Sequence, residues 1–331
     1  MARTIFSDRQ LRSWHGPSLV TDSIGHGTKI CAMTYEKGQT MERLVEPQVT
    51  IGVIQKYNFA FRKRFGQNFL IDGRVLEKII KASGVTKDDF VLEIGPGIGT
   101  LTQALSEAAA AVAAVEIDRD LVGILHETLS DCPNVTVISG DIMKTDIPSL
   151  VREYGGGRPL RVVANLPYYI TTPVLMELFE CGADPVQVTV MVQKEVASRI
   201  MAEPGADNYG AITLAVRYYA EPELAANVPP NCFMPRPTVG SAVLNLRCFG
   251  DRKPVRPKDE TLMFALIKAA FGQRRKTLVN SLEHGTSLGL TKENIRSAIL
   301  RLGLSENARG EELSLKQFSE LSDIIGTTLY D

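Results

Sequence analysis

Metal ligands are scarce in this sequence. Its four histidines do not cluster, and its five cysteines (Cys31, Cys132, Cys181, Cys232, Cys248) are scattered, odd in number and free of any C-x-x-C pair. That pattern excludes a zinc knuckle and a disulfide framework, and it points to a reducing, cytoplasmic setting and to chemistry without a metal. Net charge is equally thin. The 37 Lys and Arg against 38 Asp and Glu leave -1 at pH 7, so no whole-chain field draws in a polyanion. Long apolar runs are missing too: none has the length of a membrane-crossing helix, and the N-terminus has no signal-peptide stretch, so no membrane partner is expected.

What is present is globular material, 331 residues with 44% hydrophobic and 23% charged, enough for one large core and a smaller one. The N-terminal stretch mixes Arg3, Arg9, Arg12 and Trp14 with Gly and Ser and shows no periodicity. Met33 and Met41 offer later starts, and Asp8 and Asp22 interrupt the basic character of a transit peptide. Residues 1–55 are therefore expected to be a poorly ordered or artefactual extension.

From Phe59 the pattern sharpens. Val75, Leu76, Ile79 and Ile80 recur at helical spacing behind a capping Asp72. Apolar runs then alternate with helical lengths at residues 90–94, 112–117, 135–139, 161–165 and 186–192, with two further strand candidates at 223–228 and 241–249. Short strands apolar on both faces and separated by helices predict an α/β fold, a doubly wound, mainly parallel sheet of these seven strands over residues 56–250. DRKPVRPKD (Asp251 to Asp259) reads as a linker. Beyond it, apolar residues at three- and four-residue spacing make residues 251–331 a small all-helical domain.

The chemistry starts at VLEIGPGIGTLT. Gly95, Gly97 and Gly99 follow a buried strand and precede a helix, so backbone can approach a ligand at the carboxyl end of the sheet. Glu116 lies about twenty residues on, at the tip of the next strand, where a carboxylate accepts both ribose hydroxyls of a nucleoside. Alone, the glycines would mark only a tight turn; with the acid they make a nucleoside cofactor site. The spacing E-x-G-x-G-x-G, with Glu93 in front, departs from the dinucleotide form G-x-G-x-x-G and resembles the S-adenosylmethionine site of class I methyltransferases. Asp141 and Ile142, after the third strand, are placed to meet the adenine, although Asp141 also suits a plain turn after Gly140.

In RVVANLPYYITTPV a buried strand ends on Asn165, Leu166, Pro167 and Tyr168. In a doubly wound sheet this fourth strand lies beside the first, so its end faces the cofactor across the switch-point crevice. Asn165 Oδ1 and a carbonyl near Leu166 or Pro167 can accept both N–H bonds of an exocyclic amine, Pro167 holds the corner stiff, and Tyr168 offers a ring on which an extruded base stacks. In isolation the same residues would be a proline turn beside a half-buried tyrosine.

From Phe61 to Ile325, blocks such as FGQNFLID, LEIGPGIGTLT, VEID, GDIMK, ANLPYYITTP, FMPRPTVGSAVL and AFGQRRKTLVNSL strongly resemble the small-subunit rRNA adenine N6,N6-dimethyltransferases, which are Rossmann-like enzymes of ribosome maturation. The resemblance implies cofactor contacts at Asn68, Leu70, Gly95, Gly97, Glu116, Asp141, Ile142 and Asn165, and a catalytic N-L-P-Y corner. It also implies a second base-pocket aromatic at Phe233, where loop packing is the plain alternative. It implies S-adenosylmethionine as methyl donor and, as partner, small-subunit rRNA within a 30S assembly intermediate, with dimethylation of two adjacent adenines near the 3′ end of 16S rRNA by a cytoplasmic monomer. Arg62, Lys63 and Arg64, and Arg274, Arg275 and Lys276, are the candidate RNA contacts. Gly240 departs from the family's usual Asp, which puts the ordering of Val239 to Ser241 in question. The same chemistry on a large-subunit rRNA adenine, as in antibiotic-resistance methylases, is the runner-up. An assembly factor with secondary catalysis is the reading from another class.

Overall fold

The computed structural model describes residues 43–62, 65–285 and 289–330. Seven strands form one sheet in the order β4-β3-β2-β5-β6-β9-β7, and a short antiparallel ribbon pairs β1 with β8. The sheet strands are β2 (Phe90–Ile94), β3 (Ala111–Glu116), β4 (Val135–Ser139), β5 (Leu160–Asn165), β6 (Gln187–Gln193), β7 (Ala220–Val228) and β9 (Ser241–Cys248). The ribbon is β1 (Phe69–Leu70) and β8 (Phe233–Met234). Its strands are two residues long and carry no periodicity of their own, which is why the sequence did not announce them.

Helices cover both faces. They are α1 (Pro47–Lys56), α2 (Gly73–Ser83), α3 (Thr100–Ala108), α4 (Arg119–Thr128), α5 (Ile147–Tyr154), α6 (Thr171–Glu180), α7 (Lys194–Ile200) and α8 (Ala211–Tyr219). Every residue of β2 is buried, as a central strand covered on two sides requires. β2 pairs in parallel with β3 (Ile94 opposite Val115) and with β5 (Ile94 opposite Ala164), so the ends of the first, second and fourth sheet strands come together at one edge. Asp72 caps α2 by accepting the Arg74 and Val75 N–H groups at 3.0 and 3.3 Å.

Order begins before residue 56. Leu44 and Val45 are buried, and the Leu44 N–H donates to Gln103 Oε1 at 3.1 Å. Val53, Ile54, Phe59 and Phe61 pack with Phe69 and Ile98, so α1 and its exit buttress the residues around the glycine turn. The expected extension over residues 1–55 thus includes a helix with a structural task. Pro47 at its first turn starts it, and its weak apolar face gave little periodicity to read.

The C-terminal helices are α9 (Glu260–Gly272), α10 (Leu278–Gly285), α11 (Lys292–Arg301) and α12 (Leu315–Tyr330). Their core is shared, since Tyr209, Leu214 and Tyr218 enter it from the sheet side. A polar clasp fixes the linker: Glu260 accepts the Tyr218 and Tyr219 hydroxyls at 2.8 and 3.0 Å and pairs with Lys253 at 3.3 Å.

One buried ion pair locks the amino end of β5. Arg161 Nε meets Asp89 Oδ2 at 2.8 Å, and its Nη1 donates to the Ser83 carbonyl at 3.0 Å and to Gln187 Oε1 at 2.9 Å. Asp89 is only 3% exposed. Arg161→Ala leaves Asp89 Oδ2 with only the Thr86 N–H and hydroxyl, at 2.8 and 2.9 Å, and urea denaturation should show a loss of about 2 kcal/mol, the scale of a lost hydrogen bond to a charged group. An unchanged midpoint would refute the locking role.

Candidate active site

The glycine turn after β2 needs its glycines. Gly95, Gly97 and Gly99 have φ of 70°, 63° and 95°, a left-handed region that side chains disfavour. A Cβ on Gly97 would stand 3.1 Å from the Phe69 ring, so a larger residue would be strained and crowded at once. The Gly97 N–H donates to Glu116 Oε2 at 3.2 Å, and the Asp118 N–H donates to Oε1 at 2.9 Å. Glu116 therefore stitches the tip of β3 to the turn. Each carboxylate oxygen keeps a further acceptor site.

Both acids of this region are buried. Glu116 is 5% exposed, and burial pushes its carboxyl up to about 7 against the backbone N–H groups that favour its charge. Glu93 is 1% exposed and burial pushes it up to about 8. Among the described residues no hydrogen-bond partner meets Glu93 Oε2.

Asn165 closes the opposite wall. Its Nδ2 donates to the Asn68 carbonyl at 3.1 Å. A carbonyl oxygen cannot donate, so this contact sets which way the amide faces and leaves Oδ1 as an acceptor. Asn68 Nδ2 donates in turn to the Gly66 carbonyl at 3.0 Å. The Leu166 N–H is held by the Met191 carbonyl at 3.2 Å, and the Pro167 carbonyl takes the Ile170 N–H at 3.2 Å. Among the described residues no donor meets the Leu166 carbonyl.

A cavity of about 280 Å³ lies between these walls. Asn68, Leu70, Gly95, Gly97, Glu116, Asp141, Ile142, Asn165, Leu166, Pro167 and Tyr168 all line it, so eleven of the residues singled out from the sequence meet in one place. Asp141 serves both readings: it faces the cavity, and its Oδ1 accepts the Met143 N–H at 3.1 Å to cap a short turn. A buried acceptor-only carboxylate, an apolar wall at Ile142 and a turn where a side chain would crowd Phe69 fit a nucleoside cofactor.

Other expectations meet different outcomes. Phe233 does not reach the cavity. It is 4% exposed, pairs with Leu70 across the ribbon and packs in the core beside Val243, so the expected base-pocket aromatic is a packing residue. Arg62 is spent inside the protein on Asp118, at 2.8 Å, and on Asp120. Lys63 and Arg64 lie outside the described residues. Arg274 pairs with Glu311 at 2.9 Å and donates to the Asp207 carbonyl at 2.7 Å, whereas Arg275 and Lys276 are exposed. At Gly240 the backbone carbonyl takes the Lys194 N–H at 3.0 Å. Two residues had gone unread: Gln67, whose Nε2 donates to Asp118 Oδ2 at 2.8 Å, and Ser241, whose Oγ lies 2.8 Å from the Tyr168 hydroxyl. Neither contact has a local sequence signal, since each joins residues far apart in the chain.

A mixed seven-stranded sheet, parallel from β4 to β6 with β9 antiparallel to β6 and β7, that carries this glycine turn, an acid at the tip of the second strand and an N-L-P-Y corner on the fourth defines a class I methyltransferase. The sequence profile of the ribosomal RNA adenine dimethylase family matches residues 58–326. The chain belongs to that family, and S-adenosylmethionine is the methyl donor that a methyltransferase of this class uses. It is 57% identical over 86% of its length, and 98% of the relative's, to ribosomal RNA small subunit methyltransferase A of Lachnoclostridium phytofermentans. It is 46% identical over 87% of its length, and 98% of the relative's, to the protein of the same name in Clostridioides difficile. Two solved structures share the fold. A dimethyladenosine transferase from Plasmodium falciparum has a TM-score of 0.62 at 24% identity, covering 76% of this chain and 95% of its own. The 23S rRNA methyltransferase ErmE has 0.57 at 25%, covering 78% and 100%.

The buried acids make stability depend on pH. Glu93 and Glu116 hold protons in the folded chain up to about 8 and 7, whereas their ordinary value is 4.5, so folding takes up protons in between. Their contribution is full below 4.5 and declines as pH rises through the folded values. Glu93→Gln should therefore lose less stability than the parent between pH 5 and 8, by up to about 1.4 kcal/mol per pH unit in denaturant titrations. Parallel profiles for the two proteins would contradict this.

Proposed function

We propose that this protein transfers methyl groups to N6 of adenine in small-subunit rRNA, at two adjacent adenines near the 3′ end of 16S rRNA within a subunit assembly intermediate. One observation carries the reading: the Asn165 amide is anchored by its nitrogen, with its oxygen left as an acceptor on the wall of a nucleoside-sized cavity. S-adenosylmethionine, when bound, supplies an electrophilic methyl group that an amine can take by in-line displacement. Glu116 would accept the ribose hydroxyls, Asp141 and Ile142 would face the adenine, and Asn68, Leu70, Gly95 and Gly97 would line the remainder.

The chain's own task is to make a poor nucleophile competent. The exocyclic amine of adenine donates its lone pair into the ring. With Asn165 Oδ1 and the Leu166 carbonyl accepting its two N–H bonds, the nitrogen becomes pyramidal and the lone pair localises. The Pro167 carbonyl is already satisfied within its own turn, which favours Leu166 as the second acceptor. Tyr168 holds the extruded base by stacking, worth about 1–3 kcal/mol. Water takes the proton from the methylated ammonium, so no general base is needed. Arg275 and Lys276 are the exposed cations best placed to meet phosphates, Arg62 and Arg274 being committed to carboxylates.

The test is labelled methyl transfer to undermethylated small subunits, followed by nucleoside analysis. The parent should yield N6,N6-dimethyladenosine. Asn165→Ala should lower the rate by about 100-fold or more, the scale seen when one preorganised polar group is removed from a reacting centre, while subunit binding persists. A variant that keeps the parent rate would sink the proposed role of Asn165, and a parent that yields no methylated adenosine would favour a pure binding factor.

A further inference from the structure

Tyr168 and Tyr169 are adjacent in sequence and differ in how they are held. Tyr169 is 59% exposed, and no described residue bonds its hydroxyl. Tyr168 is half-buried, and its hydroxyl lies 2.8 Å from Ser241 Oγ. Its root is fixed as well, because Pro167 precedes it and a short turn over Tyr168–Ile170 follows. A ring tethered at both root and tip has its plane defined before any base arrives.

Ser241 is well suited to be the far tether. It is 1% exposed and opens β9, where it lies opposite Gln193 on β6 and Val228 on β7. Strands flank it on both sides, and the preceding carbonyl, of Gly240, holds the Lys194 N–H at 3.0 Å. Its backbone has no freedom to follow a wandering tyrosine. Either hydroxyl can be the donor, so the contact forms whichever way the two protons point.

We propose that Ser241 is a positioning residue for methyl transfer: its buried hydroxyl fixes the tilt of the Tyr168 ring and so sets the plane in which the extruded adenine lies. This rests on the reading of Tyr168 as the stacking platform. Ser241 touches neither base nor cofactor and acts only through that ring. An adenine stacked on a correctly tilted ring brings its amine level with Asn165 Oδ1; on a loose ring it does so a fraction of the time. The effect falls on turnover more than on binding, because a loose ring still offers a face to stack on.

Turnover on undermethylated small subunits tests this with Ser241→Ala, Tyr168→Phe, the double variant and Tyr168→Ala. Ser241→Ala and Tyr168→Phe should each lower kcat by about three- to tenfold, the size of one neutral hydrogen bond. KM for subunits and affinity for S-adenosylmethionine should stay at parent values, and the melting temperature should fall by no more than the few degrees that one lost hydrogen bond costs. The double variant should be no slower than either single, since both remove the same contact. The proposal is overturned if Ser241→Ala keeps the parent kcat while Tyr168→Ala is impaired, or if the two single losses multiply in the double. If Tyr168→Ala itself turns over like the parent, the stacking reading fails, and Ser241 loses its role with it.

Discussion

The hydrogen bond from Asn165 Nδ2 to the Asn68 carbonyl is the contact on which the site depends. It joins residues 97 positions apart, one at the end of a central strand and the other beside a two-residue ribbon strand. Without it the amide could turn over, and a nitrogen would face an amine that needs an acceptor. The bond exists because β5 runs parallel to β2 in a register that brings Ala164 opposite Ile94 and carries Asn165 one residue beyond, past the start of the glycine turn. A slip of one residue would reverse every side chain of β5 and bury the amide in the sheet. The apolar residues of β5, Val162 to Ala164, are buried at 2% exposure or less, and that burial prevents the slip.

The same edge holds groups that folding alone would not choose. Glu93 and Glu116 are buried along the cavity wall, and burial raises their carboxyls to about 8 and 7. Buried acids weaken a fold near neutral pH unless a ligand uses them. Glu116 has such a use, since a carboxylate already holding two backbone N–H groups is rigid and still presents acceptors to a diol. The glycine turn follows the same logic: three left-handed residues give up backbone entropy on folding and in return let a ligand touch main chain. The surrounding framework, from the clasp at Glu260 to the Arg161–Asp89 pair, contributes the stability that these concessions draw on.

How much was legible in the sequence follows from the range of the forces involved. The central strands β2, β3, β5 and β6 were readable because each is apolar on its buried faces, β7 with Glu221 and Glu223 only in part, and the cavity-lining motifs were readable because each is contiguous. What escaped was non-local. β1 and β8 are too short to show a period, and α1 has too weak an apolar face. Phe233 entered as a base-pocket ring only through the family resemblance, and tertiary packing is what buries it in the same cluster as Val243. Arg62 looked free because the carboxylates that claim it, Asp118 and Asp120, lie more than fifty residues away. Ser241 carries no mark at all in sequence: a serine opening a strand is unremarkable until its hydroxyl is seen against Tyr168.

These misses bear on how the protein meets RNA. With Arg62 and Arg274 tied to carboxylates, phosphate contact falls to other exposed cations such as Arg275 and Lys276, and such contact does not by itself choose a base. Recognition then has to lean on shape and on the fixed corner, where one base is taken out of its stack and held between oriented acceptors. Such a scheme places the demand on rigidity: the corner must already have its final form when the base arrives. The features around N-L-P-Y answer that demand together. The strand register fixes Asn165, the proline and its turn fix Leu166 and Pro167, and the buried end of β9 holds the tip of Tyr168. Preorganisation of a few polar atoms, built from ordinary sheet packing, is what selects and aligns the base.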